Sequence, residues 1–291
     1  MKKLFFVIIL LSTTIFAQIS RGFVKEGLTI HSKILNKEVR YTIYLPFDYN
    51  TSNRFYPVVY LLHGYTDNDM GWLQFGEVNM IVDEAIAKRK IPPMIIVTPD
   101  AGVSWYINNF NGKVMWEDFF IKEFIPFIES KYRIRKEKRY RGVAGLSMGG
   151  YGTFNYALKY PELFAAAAPM SAAVYTEKQV MNFSMERWNK VEGVLFGNEL
   201  SGKDRITKQF KKNDPLSLLD SLDINKIKTV RYYIDCGDDD HLTIGNCLMH
   251  IKMTELKIPH QFRVRDGRHN WTYWRSGLVD ALKFIGKSFH Q

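Results

Sequence analysis

Short apolar runs alternate with helical patterns along this chain, and this alternation limits the possible folds more than any other feature. Six apolar runs predict strands at residues 57–62, 94–98, 141–145, 165–169, 230–235 and 260–264. Helical spacing of apolar residues predicts helices at 78–88, 116–132, 151–160, 244–256 and 271–289. Strands that alternate with helices form a largely parallel sheet covered on both faces. We therefore predict an α/β fold with a mostly parallel central sheet and helices on both faces.

The segment before the first of these runs has a different pattern. Residues 28–45 predict two strands with a turn around Lys37, which would add an antiparallel edge to the sheet. The chain has 291 residues, and no Pro-rich, Gly/Ser-rich or low-complexity stretch divides it. We therefore expect residues 18–291 to form a single domain.

The N-terminus has the pattern of a secretory signal peptide. Two lysines precede an apolar run at residues 4–11, and the segment ends in a small residue, Ala17. We predict that residues 1–17 are removed, which would place the mature protein outside the cytoplasm, secreted or periplasmic. The alternative is a retained membrane anchor, but the run is short for a membrane span. After cleavage we expect no stable membrane insertion.

Charge and cysteine content exclude some function classes. The formal net charge is +10, yet lysine and arginine are scattered, and the dense run at 131–141 is expected to be a solvated loop. We predict no nucleic-acid partner. No CxxC or HExxH pattern occurs, so we predict no metal site. Cys236 and Cys247 allow one disulfide, which spacing alone neither supports nor excludes.

A catalytic motif follows the third predicted buried strand. Residues 145–149 read G-L-S-M-G, which fits G-x-S-x-G, and a helical pattern begins at once after them. A strand, this turn and a helix form the nucleophile elbow of serine hydrolases, so we predict Ser147 as the nucleophile. The backbone N–H of Met148 would face a developing oxyanion. The alternative is a serine that only caps the helix.

The first predicted buried strand ends in His63, Gly64 and Tyr65. A His-Gly pair after this strand is the usual place for the second oxyanion donor, so we assign the backbone N–H of Tyr65 to that role. We expect His63 to be structural and to hold the loop through hydrogen bonds.

The order serine, acid, histidine along the chain guides the choice of the remaining residues. His269 follows the last predicted strand and precedes the last helix, so we predict that it is the base. The acid should follow the strand at 230–235, where Asp238, Asp239 and Asp240 are adjacent. Spacing alone leaves the choice among these three open.

Together these motifs resemble the esterase D-like, carbohydrate-esterase-1-like branch of the α/β-hydrolases. The matching segments are 39–46, 62–64, 104–106, 145–150, 235–240 and 267–271. The resemblance implies an α/β-hydrolase fold and names Asp240, in preference to Asp239, as the acid. It covers feruloyl, acetylxylan and simple carboxylesterases, S-formylglutathione hydrolases and, more distantly, mycolyltransferases. The formylglutathione branch carries a cysteine shortly after His-Gly, where this chain has Tyr65, Thr66 and Asp67.

These features lead to one main hypothesis. We expect an exported serine carboxylic-ester hydrolase that removes feruloyl or acetyl groups from plant polysaccharide and needs no cofactor. The alternatives are a short-chain carboxylesterase, an acyltransferase with the same triad, or a non-catalytic carbohydrate-binding protein. Aromatic residues near the motifs are predicted to bind substrate, with Trp72 and Trp105 as exposed stacking faces, unless they fill the core. These residues are Trp72, Trp105, Tyr106 and Trp271. The acyl group, the alcohol and the oligomeric state are not specified by the sequence.

Overall fold

A single eight-stranded sheet organises the protein, which we describe from a computed structural model covering residues 20–290. The predicted signal peptide, residues 1–17, lies outside the described residues. The strands are β1 Phe23–Ser32, β2 Lys37–Leu45, β3 Val58–Leu62, β4 Ile95–Pro99, β5 Arg141–Leu146, β6 Ala166–Met170, β7 Arg231–Gly237 and β8 His260–Arg265. Their order across the sheet is β1-β2-β4-β3-β5-β6-β7-β8.

The sheet is mostly parallel, as predicted. β1 pairs antiparallel with β2, and β2 pairs antiparallel with β4, so the N-terminal hairpin forms one edge. All other neighbouring pairs are parallel. Every residue of β3, β4, β5 and β6 is buried, which explains why these strands read as continuous apolar runs. The carboxyl ends of the parallel strands therefore meet at one edge, where ligands bind in such sheets.

Helices cover both faces of the sheet. They are α1 Gly71–Gln74, α2 Val78–Ala87, α3 Trp116–Phe119, α4 Ile125–Lys131, α5 Met148–Lys159, α6 Glu177–Met181, α7 Met185–Arg187, α8 Gly193–Phe196, α9 Lys208–Lys211, α10 Pro215–Ser221, α11 Ile224–Ile227, α12 Thr243–Glu255 and α13 Trp271–Ser288. Short 3₁₀ turns occur at Lys138–Tyr140 and Gly202–Arg205, and π turns occur at Phe120–Phe124 and Trp188–Glu192. No helix within residues 20–290 is long and apolar enough to cross a membrane.

Two apolar clusters fill the space between sheet and helices. One lies under α2 and α13 and includes Val82 and Leu278, whereas the other lies under α3 to α5 and includes Tyr60 and Tyr156. Because α5 and α13 pack against the sheet from these two clusters, the sheet lies between two layers, and the loops at its carboxyl edge are held from both sides.

Three details differ from the sequence-based expectations. The helix predicted at 116–132 contains a π turn between α3 and α4, where Pro126 cannot donate a backbone hydrogen bond. The basic run at 131–141 is not wholly solvated, because Arg141 is buried and donates to Glu129 at 2.6 and 2.9 Å. The segment between β6 and β7, not assigned from sequence, forms the short helices α6 to α11.

Candidate active site

The turn between β5 and α5 places Ser147 at the carboxyl edge of the sheet. Its φ of 56° and ψ of −116° are strained for a residue with a side chain. The turn is tight, since a Cβ added at Gly145 would lie 2.5 Å from the carbonyl oxygen of Gly149. The backbone N–H of Ser147 donates to the carbonyl of Met170 at 3.0 Å, which ties the turn to β6. The hydroxyl is therefore presented on a rigid support.

Three side chains form a hydrogen-bonded row at this edge. Ser147 Oγ lies 2.9 Å from His269 Nε2, and His269 Nδ1 lies 2.8 Å from Asp240 Oδ2. The second oxygen of Asp240 accepts a hydrogen bond from the backbone N–H of Leu242 at 2.9 Å. The three side chains come from the loops after β5, β7 and β8. This arrangement allows the imidazole to take a proton from the serine while the carboxylate fixes its tautomer.

Asp240 stays ionised in this environment. Burial alone would raise the pKa of its carboxyl group, but the hydrogen bonds from His269 and from the Leu242 N–H outweigh burial and lower it below its ordinary value. A buried, ionised acceptor beside Nδ1 stabilises the imidazolium that forms when Nε2 takes a proton.

The two neighbouring aspartates have other contacts. Asp238 accepts from the backbone N–H of Gly267 at 3.0 Å, whereas Asp239 is exposed and lies 3.5 Å from Arg268. Among these three carboxylates, only Asp240 contacts His269. The alternatives that the spacing left open therefore differ clearly in geometry.

The predicted oxyanion loop lies next to Ser147. A Cβ built on Gly64 would lie 3.7 Å from the Cβ of Ser147, so the backbone at Tyr65 runs alongside the serine. Met148 is the first residue of α5, and the first N–H groups of a helix have no partner within it. The loop that carries Tyr65 therefore passes close to Ser147, and Met148 follows Ser147 directly in the chain.

His63 connects two loops and does not contact the serine–histidine row. Its Nε2 accepts from the backbone N–H of Ala101 at 2.9 Å, so its Nδ1 is the donor to the carbonyl of Gly64, 2.8 Å away. Burial lowers its pKa, which keeps the ring neutral. It joins the loops after β3 and β4, in agreement with the structural role expected from the sequence.

A cavity of about 600 Å³ opens above the serine and the histidine. Its lining residues are Gly64, Tyr65, Thr66, Asp67, Phe75, Leu146, Ser147, His269, Asn270, Trp271 and Trp274. Of the four aromatic residues predicted to bind substrate, Trp271 is in this lining. Phe75 and Trp274 also line the cavity but were not predicted, because nothing in the local sequence distinguishes them from aromatic residues that pack in the core.

The other three predicted aromatic residues are buried beneath the loops. Trp72 is 0% exposed and donates from Nε1 to the carbonyl of Leu62, and Tyr106 is 0% exposed and donates to the carbonyl of His63. Trp105 is 6% exposed and packs edge-on against Tyr151. The prediction of exposed stacking faces at Trp72 and Trp105 is therefore wrong. Their polar or glycine neighbours suggested exposure, but tertiary packing covers both rings.

His241 is a further residue of the site that sequence reasoning did not single out. Its ring centroid lies 4.7 Å from that of His269, and its Nδ1 lies 3.5 Å from Asp240 Oδ1. The three side chains have ligand atoms within 4.8 Å of one another, a spacing that could hold a metal ion. Asp240 and His269 are already paired with each other, however, so a metal would have to break that hydrogen bond.

The two cysteines, Cys236 and Cys247, are free thiols and do not form a disulfide with each other. Cys236 is buried at the end of β7, its Sγ lies 3.7 Å from the hydroxyl of Thr243, and burial raises its pKa to about 12. Cys247 is partly exposed on α12, and burial raises its pKa as well. Neither thiol is activated for nucleophilic chemistry.

Comparison with known proteins supports the assignment of this chain to an esterase family. The family model described as "Putative esterase" matches residues 32–285. Esterase Rv1288 of Mycobacterium tuberculosis is 31% identical over 245 residues, which cover 78% of this chain and 51% of that protein. An acetyl esterase of Caldicellulosiruptor saccharolyticus is 25% identical over 278 residues, which cover 89% of this chain and 97% of that protein.

A solved structure of a ferulic acid esterase is also similar. It has a TM-score of 0.80 and 32% identity, and the match covers 92% of this chain and 99% of that one. The chain spans about half the length of the mycobacterial relative. The resemblance predicted from the motifs is confirmed, and the chain belongs to this esterase family of the α/β-hydrolase fold.

Proposed function

We propose that this protein is a serine carboxylic-ester hydrolase whose nucleophile is Ser147. The observation that carries the proposal is the hydrogen-bonded row of Ser147, His269 and Asp240, of which Ser147 and His269 line the cavity. Family membership supports the same reaction class. A non-catalytic carbohydrate-binding protein would not need a strained serine aligned with a histidine and a buried carboxylate.

The proposed reaction has two steps. In the first, Oγ of Ser147 attacks the ester carbonyl, His269 Nε2 takes the hydroxyl proton, and the oxyanion is bound by the N–H groups of Met148 and Tyr65. The imidazolium then protonates the departing alcohol, which leaves an acyl-enzyme. In the second step, water attacks the acyl carbon, His269 takes its proton and returns it to Ser147, and the carboxylic acid is released.

The proposed substrates are feruloyl or acetyl esters of plant polysaccharide. The aromatic side of the cavity, formed by Phe75, Trp271 and Trp274, would suit an aromatic acyl group or a sugar face. The similar proteins named acetyl esterase and ferulic acid esterase support the same substrate class. The predicted signal peptide would bring the enzyme to such polymers outside the cytoplasm.

Two experiments test this function. Wild type should show a burst of one equivalent of p-nitrophenol with p-nitrophenyl acetate, and Ser147→Ala should lose both burst and turnover, because loss of the nucleophile costs several orders of magnitude. The Ala variant should keep a cooperative thermal transition. A variant that retained more than a few per cent of the wild-type rate would contradict the assignment of Ser147.

The substrate is tested by kcat/KM for methyl ferulate, acetylated xylan and p-nitrophenyl butyrate. We expect release from one of the two plant substrates. Turnover of the butyrate alone would favour a short-chain carboxylesterase. Added alcohol that diverts acyl groups into a new ester, at the expense of free acid, would favour an acyltransferase.

A further inference from the structure

One carboxylate in the lining of the cavity has no part in the proposed reaction. Asp67 is the only acidic residue among the lining residues, and it faces the same space as Ser147 and His269. Its presence beside a nucleophilic serine therefore needs an explanation.

The Asp67 carboxylate is poorly compensated. It is partly buried, and its Oδ1 accepts from the N–H of Asn68 at 3.2 Å. Within residues 20–290, no lysine or arginine nitrogen lies within 4.0 Å of it. Burial raises the pKa of this group above its ordinary value. A half-buried carboxylate without a cation costs free energy that a bound substrate could recover.

The adjacent loop carboxylate provides a contrast. Asp69 is buried, accepts from the hydroxyl of Thr42 at 2.8 Å and lies 3.5 Å from a guanidinium nitrogen of Arg40. Neither of these contact residues lines the cavity, so we assign Asp69 a structural role. Of these two carboxylates, only Asp67 is in the lining of the cavity.

The loop also fixes where the Asp67 side chain lies. The backbone N–H of Asp67 donates to the carbonyl of Gly64 at 3.2 Å, which closes a turn around Tyr65. Gly71 leaves the space for the carboxylate, because any Cβ at Gly71 would collide with it. The acceptor is thus held by the same loop that carries the proposed oxyanion donor, a preorganised arrangement suited to recognition.

We propose that Asp67 is a specificity-determining residue that accepts a hydrogen bond from a hydroxyl group of the bound ester. The proposal rests on the proposed function, whose substrates carry hydroxyl groups on the phenolic acyl part or on the sugar. In either case the substrate supplies a neutral O–H donor to an ionised acceptor. The same carboxylate disfavours esters that bear a negative charge at this position.

Two matched substrate pairs distinguish the sources of the hydroxyl group. The first is methyl 4-hydroxycinnamate with methyl cinnamate, which differ only in the phenolic hydroxyl. The second is a monoacetylated methyl xyloside with its fully O-methylated analogue. We expect wild type to prefer the hydroxyl-bearing member of one pair by roughly 10- to 100-fold in kcat/KM, the range of a hydrogen bond to an ionised group.

Asp67→Ala should bring that ratio to about one, whereas Asp67→Asn, which keeps an acceptor oxygen and the side-chain shape, should keep part of it. Glu77→Gln is the matched control, because it removes one exposed negative charge beyond α1 that is outside the cavity lining, and it should leave the ratio unchanged.

A ratio unaffected by Asp67→Ala, or a wild type without preference in both pairs, would overturn the proposal. Equal losses in Asp67→Asn and Asp67→Ala together with a preference for a choline ester would overturn it too, since Asp67 would then recognise a cation. Failure of the proposed function has a different signature: wild type would hydrolyse none of the four esters and no activated ester.

Discussion

Nδ1 of His269 lies 2.8 Å from Oδ2 of Asp240, and this contact distinguishes one carboxylate from the two that precede it in the chain. Asp240 is 4% exposed, so the hydrogen bond is shielded from water. A shielded, ionised acceptor both orients the imidazole and stabilises its protonated form.

Asp240→Asn should therefore impair turnover far more than Asp239→Asn. The amide cannot stabilise an imidazolium and can select the wrong tautomer, so we expect kcat to fall by roughly 10³- to 10⁴-fold. Asp239 is exposed and lies 3.5 Å from Arg268, so its substitution should change kcat less than about twofold. Steady-state kinetics on p-nitrophenyl acetate measures both. Equal effects, or the reverse order, would contradict the geometry.

The pH dependence of kcat/KM should have one acid limb, set by an imidazole. A protonated histidine cannot accept the serine proton, so the rate should rise with pH as the imidazole loses its proton. The lowered pKa of Asp240 keeps that carboxylate charged throughout this limb, so it adds no second limb above about pH 4. A rate that is flat from about pH 5 to about pH 9 would exclude a histidine base.

Because the backbone at Ser147 is strained, glycine at this position should give a more stable protein than alanine, which is the reverse of the usual order in a helix. At φ 56° and ψ −116°, glycine avoids the clash of a Cβ, so Ser147→Gly should exceed Ser147→Ala in free energy of unfolding by about 1–3 kcal/mol. Ser130 in α4 is the matched control, because glycine should there be less stable than alanine by about 1 kcal/mol. Urea unfolding of the four variants measures these differences. The same order at both positions would show that Ser147 is not strained.

Substitutions at Trp271 and Trp72 should have different effects, the first on substrate turnover and the second on the stability of the fold. Their rings touch edge-on with centroids 5.2 Å apart, yet only Trp271 lines the cavity. Trp271→Ala should lower kcat/KM for methyl ferulate by about tenfold and for p-nitrophenyl acetate much less, because it removes an aromatic wall. Trp72→Phe should lower the free energy of unfolding by about 1–3 kcal/mol, since the carbonyl of Leu62 loses its donor. If Trp72→Phe changed the ratio of the two substrates more than Trp271→Ala, the positions of the two rings would be contradicted.

Local pattern was sufficient for the fold class and for the order of the site elements. The apolar runs that became β3 to β6 are buried on both faces, as expected for a parallel sheet covered by helices on both sides. The glycines around Ser147 are required by a turn that is encoded within five residues. The location of His269 follows from chain order. These features depend on residues that are close together in the chain or on the order of elements along it, so they could be predicted from the sequence alone.

Tertiary structure alone decided which side chains face the cavity. Asp238, Asp239 and Asp240 are adjacent in sequence, but the turn after β7 directs only Asp240 to a histidine 29 residues later. Trp72 and Trp271 are both aromatic residues near motifs, and packing buries the first under the second. Phe75 and Asp67 reach the cavity because the loop after β3 folds over the carboxyl edge of the sheet. Whether a side chain at such a position is buried, and which way it points, depends on contacts between segments that are distant in sequence. The periodicity within one segment does not reveal these contacts.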